Sequence, residues 1–111
     1  MILVKTSNPQ ELLDAIDHAI AADEITTWRK TTSGSFTHTP DQWKNKAWFR
    51  ATVKTDERQI VFNIIRPKGG HVSSEAYAIY HGHFASMLLQ HFDKQLKSIE
   101  LSALASQGDN V

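Results

Sequence analysis

Two apolar runs joined by one short polar turn constrain this chain of 111 residues more than any other feature. Residues 47–54 alternate, with Ala47, Phe49, Ala51 and Val53 on one parity and Trp48, Arg50, Thr52 and Lys54 on the other. In a strand that alternation sends the two sets to opposite faces of a sheet. Asp56-Glu57 makes the turn, and residues 58–66 form the next strand. Its Ile60, Phe62 and Ile64 share one face while Val61 and Ile65 take the other, so this strand reads as a central one.

What covers the sheet is legible too. Residues 2–6 are a short apolar strand, and Asn8-Pro9-Gln10-Glu11 then sets up a helix start. Asn8 is placed to accept an orphan backbone N–H, Pro9 suits the first helical position, and Glu11 is spaced to reach back to the cap. Leu12, Leu13, Ile16, Ala19 and Ile20 follow at helical spacing, which gives an amphipathic helix over 9–22. Residues 25–32 are rich in threonine, isoleucine and tryptophan and read as a strand; Ser33-Gly34-Ser35 and Thr39-Pro40-Asp41 break the chain after it. Residues 72–80 are assigned to a strand rather than to the start of a helix, because the helix would carry Gly82 inside it. A second helix over 83–96 follows from Phe84, Met87, Leu88, His91, Phe92 and Leu96, and residues 98–104 close the sheet.

The resulting order is β-α-β-β-β-β-α-β. Two helical stripes must be buried, and one face of a mostly antiparallel sheet buries both. The expectation is an α+β two-layer sandwich with both helices on the same face. It forms a single domain over 1–105, followed by a flexible tail over 106–111.

Charge adds a further constraint. The twelve bases and twelve acids cancel, so no global field draws the chain to nucleic acid or to an acidic membrane. The balance hides a segregation: residues 1–24 sum to −4, residues 25–54 to +5 and residues 55–111 to −1. The basic third also holds Trp28, Trp43 and Trp48, all the tryptophans of the chain. There is no cysteine, which removes thiolate chemistry, disulfides and Cys-ligated metal, and fits a cytoplasmic protein. No apolar run approaches the length of a signal peptide core or a membrane span.

Motif chemistry is sparse. No P-loop, dinucleotide fingerprint, nucleophile elbow or H-E-x-x-H is present, and Lys68-Gly69-Gly70 reads as a turn. Two candidate sites remain. On the strand reading, Trp28 and Lys30 share a face with Trp48, Arg50 and Lys54, forming a basic-aromatic surface on the side away from the helices. Such a surface suits a protein partner or a homodimer. Single-stranded nucleic acid is the lesser alternative, because stacking on tryptophan needs a net positive field beside it.

The second candidate is the histidine group. His81 and His83 flank Gly82, and Glu75, Tyr80 and His91 are near enough in sequence to assist them, with His71 a further candidate ligand. This set would serve a small ligand-binding protein or an acid–base enzyme. A metal would need three convergent ligands where only two are patterned, so no metal and no cofactor are expected. The sequence thus reads as a non-catalytic interaction module without membrane attachment, with a homodimer through its sheet face as the expected assembly.

Overall fold

The computed structural model describes all 111 residues. Its elements are β1 (Ile2–Lys5), α1 (Pro9–Ala21), β2 (Trp28–Lys30), β3 (Phe36–His38), β4 (Trp48–Lys54), β5 (Gln59–Ile65), α2 (Ser74–Phe92), a 3₁₀ turn (Asp93–Gln95) and β6 (Ser98–Leu101). The six strands form one antiparallel sheet in the order β2-β3-β4-β5-β1-β6. Leu12, Ile16 and Ala19 of α1 and Tyr80, Phe84, Met87 and Leu88 of α2 share one core with Ile2, Val4, Phe49, Ile60, Phe62 and Ile64 of the sheet. This is the expected two-layer α+β sandwich; on the opposite sheet face no helix packs, and the C-terminal segment covers Asn63.

The hairpin forms as its pattern dictates. Phe49 faces Ile64, Ala51 faces Phe62 and Val53 faces Ile60, so each apolar parity meets its like across the β4–β5 pair. On α1, Pro9 opens the helix as expected, but Asn8 caps nothing with its side chain; its Nδ2 instead donates to Glu11 Oε2 at 2.8 Å.

The element string matches the expected one, yet one strand in it is different. Residues 72–80 are not a strand. Residues 74–80 are the first two turns of α2, Val72 and Ser73 lead into it, and the missing strand is supplied by β3. Ser73 decides the matter, because its Oγ accepts from the Ala76 N–H at 3.1 Å and starts the helix there. Gly82 lies inside α2 with no atom within 4 Å of where a Cβ would stand. Its cost of about 1 kcal/mol is smaller than the gain from fully burying Tyr80 two residues earlier.

Residues 106–111, expected to fray, are tied into the sheet. Met1 is where β1 runs out, and beyond it the freed edge of β5 pairs with the C-terminal segment. Asn110 N–H donates to Ile64 O at 2.8 Å, and Arg66 N–H donates to Asn110 O at 2.7 Å. Asp109 Oδ1 accepts from Ile64 N–H at 3.1 Å and from Asn63 Nδ2 at 2.9 Å. Gly108 takes a φ of +90°, and an added Cβ there would sit 2.7 Å from Asn63 Oδ1.

The two glycines therefore respond oppositely to the same substitution. Gly82→Ala should stabilise the fold by about 0.5–1 kcal/mol, through helix propensity alone. Gly108→Ala should destabilise it by about 1–3 kcal/mol, through a strained φ and a clash with Asn63. Urea unfolding of both variants checks the signs; equal effects would contradict the placement of 108.

Candidate functional site

The basic-aromatic group divides between the two faces of the sheet. Trp48, Arg50 and Lys54 lie on the open face, as the alternation of β4 requires. Trp28 and Lys30 do not join them. Their strand pairs with β3 so that Trp28 meets His38 and Lys30 meets Phe36, and Phe36 in turn meets Phe49 of the core. That register turns Trp28 and Lys30 toward the helices. Trp28 is 2% exposed, edge-on to Phe84 at 4.9 Å and to Tyr80 at 5.6 Å. Lys30 Nζ pairs with Asp17 of α1 at 2.6 Å. Packing of the largest side chain overrode the parity assigned from the sequence.

The open face is built in cross-strand rows. Lys5, Gln59 and Lys54 form one, with Lys5 Nζ donating to Gln59 Oε1 at 2.5 Å. Glu100, Leu3, Val61 and Thr52 form the next, then Asn63 with Arg50, then Ile65 with Trp48. Leu3, Val61, Ile65 and Trp48 are half-buried, while Arg50 and Lys54 are exposed. Arg29, opposite in parity to Trp28, extends the cationic side toward the β2 edge and donates to Asn45 Oδ1 at 3.0 Å.

The histidines separate as well. His81 and His83, expected as a pair, point to different surroundings because they sit two residues apart on a helix, about 200° around its axis. Tyr80 is fully buried, its hydroxyl donating to the Trp43 carbonyl. Glu75 and His71 are exposed, and Glu75 lines a shallow depression with Gln42, Trp43 and Lys46. No three His, Asp or Glu side chains are grouped so that they could hold a metal ion.

His83 finds a different partner, His38 at the end of β3. The rings are joined by His38 Nε2 and His83 Nδ1 at 2.8 Å, and His38 Nδ1 lies 2.6 Å from the Thr27 carbonyl. A carbonyl only accepts, so His38 carries its proton on Nδ1 and presents Nε2 as the acceptor for His83 Nδ1–H. His83 Nε2 is left as the basic end of the chain, on an exposed ring. His38 stacks on Trp28 with ring centroids 4.2 Å apart. Burial holds His38 below the ordinary imidazole range; the Thr27 carbonyl opposes this and His83 adds to it. Gln90 and His91, both about two turns further along α2, line the same cleft. Sequence reasoning missed His38, which lies in a short segment between two chain breaks and has no patterned neighbour.

His81 belongs to a third cluster. Its Nδ1–H donates to the Tyr77 carbonyl at 2.7 Å, and its Nε2 accepts from the Met1 ammonium at 2.8 Å. The same ammonium donates to Ser102 Oγ and Asp109 Oδ2, both at 2.9 Å, and to Tyr77 Oη at 3.2 Å. Burial, chiefly, lowers His81 to about 4; the Tyr77 carbonyl and Asp109 oppose this, and the Met1 charge adds to it. Burial would raise Asp109, but hydrogen bonds from Asn63, the Ser106 N–H and the Met1 ammonium outweigh it and hold the carboxyl below its usual value.

Comparison with protein-family models, with curated proteins and with solved structures finds no match to this chain. Function must therefore be argued from the side chains themselves. No helix is long and apolar enough to cross a membrane.

The buried imidazole sets a pH dependence. Unfolded His81 takes a proton near 6.5, whereas the folded ring refuses it until about 4. Stability therefore falls as pH drops through that window, by about 2 kcal/mol between pH 7 and pH 5. His38 acts in the same direction. Asp109, being depressed, keeps its contribution across this range and loses it only at lower pH, as its folded-state carboxyl protonates. Urea unfolding at the two pH values should show the loss, and His81→Gln should reduce it while lowering stability at pH 7. An unchanged pH difference in the variant would refute the assignment.

Proposed function

We propose that the protein is a non-catalytic interaction module whose open sheet face binds an acidic segment of another protein. The observation that carries this reading is the composition of the cross-strand rows. Lys5, Arg29, Arg50 and Lys54 on that side outnumber Glu100 and Glu57, whose Oε2 accepts from Gln59, and they flank two half-buried apolar pairs, Leu3 with Val61 and Ile65 with Trp48. Apolar side chains set among an excess of cations fit an acidic, partly apolar partner, with tryptophan and arginine as anchors.

Two other occupants fit this surface less well. A second copy placed face to face would bring Arg50 and Lys54 against their own kind, and like charges at an interface cost several kcal/mol. A single nucleic-acid strand would need successive aromatic platforms. Trp48 is the one aromatic side chain among the β-strand positions of this face, since Trp28 faces the core. Aliphatic Leu3, Val61 and Ile65 match apolar protein side chains better than bases.

A soluble peptide of alternating glutamate and leucine serves as the probe. It should bind at low salt with a change in tryptophan fluorescence, since Trp48 is half-exposed and Trp28 is not. Trp48→Ala should weaken binding at least tenfold, as expected for an anchor worth more than about 1.4 kcal/mol. The double change Arg50→Glu, Lys54→Glu should abolish it. Absence of binding at low salt would end the proposal. So would tighter binding of a single-stranded oligonucleotide, or a dimer in sedimentation that dissociates on Arg50→Glu.

A further inference from the structure

On the helix side of the sheet, and independent of the open face, α2 and the β2–β3 edge border an open cleft of about 200 Å³. That is smaller than the roughly 300–1,000 Å³ of pockets for drug-sized ligands, so its occupant is a small molecule. The walls are His38, His83, Ser86, Gln90 and His91, and the apolar surfaces are Trp28 and Met87. No lysine, arginine, aspartate or glutamate lines it.

Three features of this cleft point to the same ligand chemistry. First, the hydrogen-bonded His83–His38–Thr27 chain ends on His83 Nε2, a base at an exposed ring. A proton arriving there is shared along a chain already terminated by a carbonyl. Second, Trp28 and Met87 set an apolar wall beside the polar one, which suits a ligand with an apolar part next to its charged group. Third, the only cationic charge the walls can supply comes from imidazole. The His38–His83 pair, sharing one proton, offers one charge to a monoanion, with His91 the one further imidazole, and no fixed arginine or lysine is present for a phosphate dianion.

We propose that this cleft binds a small monocarboxylic acid, its carboxylate paired with the protonated His38–His83 couple and its apolar part against Trp28 and Met87. Binding takes up one proton. The free carboxylate and the neutral histidine pair combine with a proton from solvent to give a carboxylate–imidazolium ion pair, so charge and protons balance. Among the lining residues, His91 of α2 is the one other titratable group facing the pair; the strands and the preceding loop contribute Thr27 and Trp28, which do not titrate near neutrality. Because binding takes up one proton, affinity should rise about tenfold for each unit that pH falls over the range in which the free pair is unprotonated.

Benzoate and butyrate are the probes, followed by tryptophan fluorescence and by calorimetry in two buffers of different ionisation enthalpy. The expected result is binding with uptake of close to one proton, benzoate tighter than butyrate, and the tenfold-per-unit dependence on pH. His83→Gln, a change at an exposed position, should weaken binding at least tenfold and flatten its pH dependence. The double change Arg50→Glu, Lys54→Glu should leave benzoate binding unaltered, which separates this site from the open face. Lack of benzoate binding at millimolar concentration and pH 6 would overturn the proposal. Equal affinity in His83→Gln, inorganic phosphate binding more tightly than benzoate, or a rise in Tm with zinc that His83→Gln abolishes would overturn it as well.

Discussion

The rest of this structure depends on how Phe84 packs. Its ring stands 4.9 Å from Trp28, 5.0 Å from Phe49, 4.9 Å from Phe62 and 6.0 Å from Phe36, centroid to centroid. One residue of α2 thereby gathers aromatic side chains from four strands, in the tilted and edge-on arrangements that aromatic pairs favour. The contact fixes the rotation of the helix. It also pulls the short β2–β3 pair inward at the sheet edge, although that pair has only three residues on each strand to hold it.

Both unexpected placements in the molecule follow from that contact. With Phe84 against Trp28, His83 is carried to the sheet edge, where it meets His38. His81 is carried the other way, toward Met1 and Asp109. The two imidazoles are neighbours in sequence and strangers in space. His81 is fixed at Nδ1 by the Tyr77 carbonyl and presents Nε2 to a cation, whereas His83 gives its Nδ1–H to His38 Nε2 and keeps its own Nε2 free. Identical side chains thus have different chemistry because a helix turns about 100° per residue.

The sequence was most readable where one periodicity acted alone. The alternation in residues 47–54 and the stripe of α1 each had a single consistent explanation, and both elements formed with the faces expected. It was least readable where two effects competed. Gly82 argued against a helix through 72–80, but glycine is a weak veto when Ser73 supplies a cap and Tyr80 supplies core burial. Trp28 was assigned by parity with Lys30, correctly as a pair, but to the wrong face. The sign of a three-residue strand is set by what it pairs with, and β3 carried no clear signal of its own. His38 was invisible for the same reason. Met1 and Asp109 meet across almost the whole chain, and no local pattern encodes such a pairing.

The two edges of the sheet differ from its faces in one respect. At one border β2 is three residues long and carries Arg29 and Lys30; at the other, β6 is four residues long and carries Ser98 and Glu100. Short, charged borders are poor templates for adding a strand from another molecule. The sheet is therefore open to contact across its surface and protected against lengthening at its rim. A chain with this much strand and a sheet face on which no helix packs would otherwise be exposed to fibrillar growth, and the brevity of its outermost strands guards against that outcome.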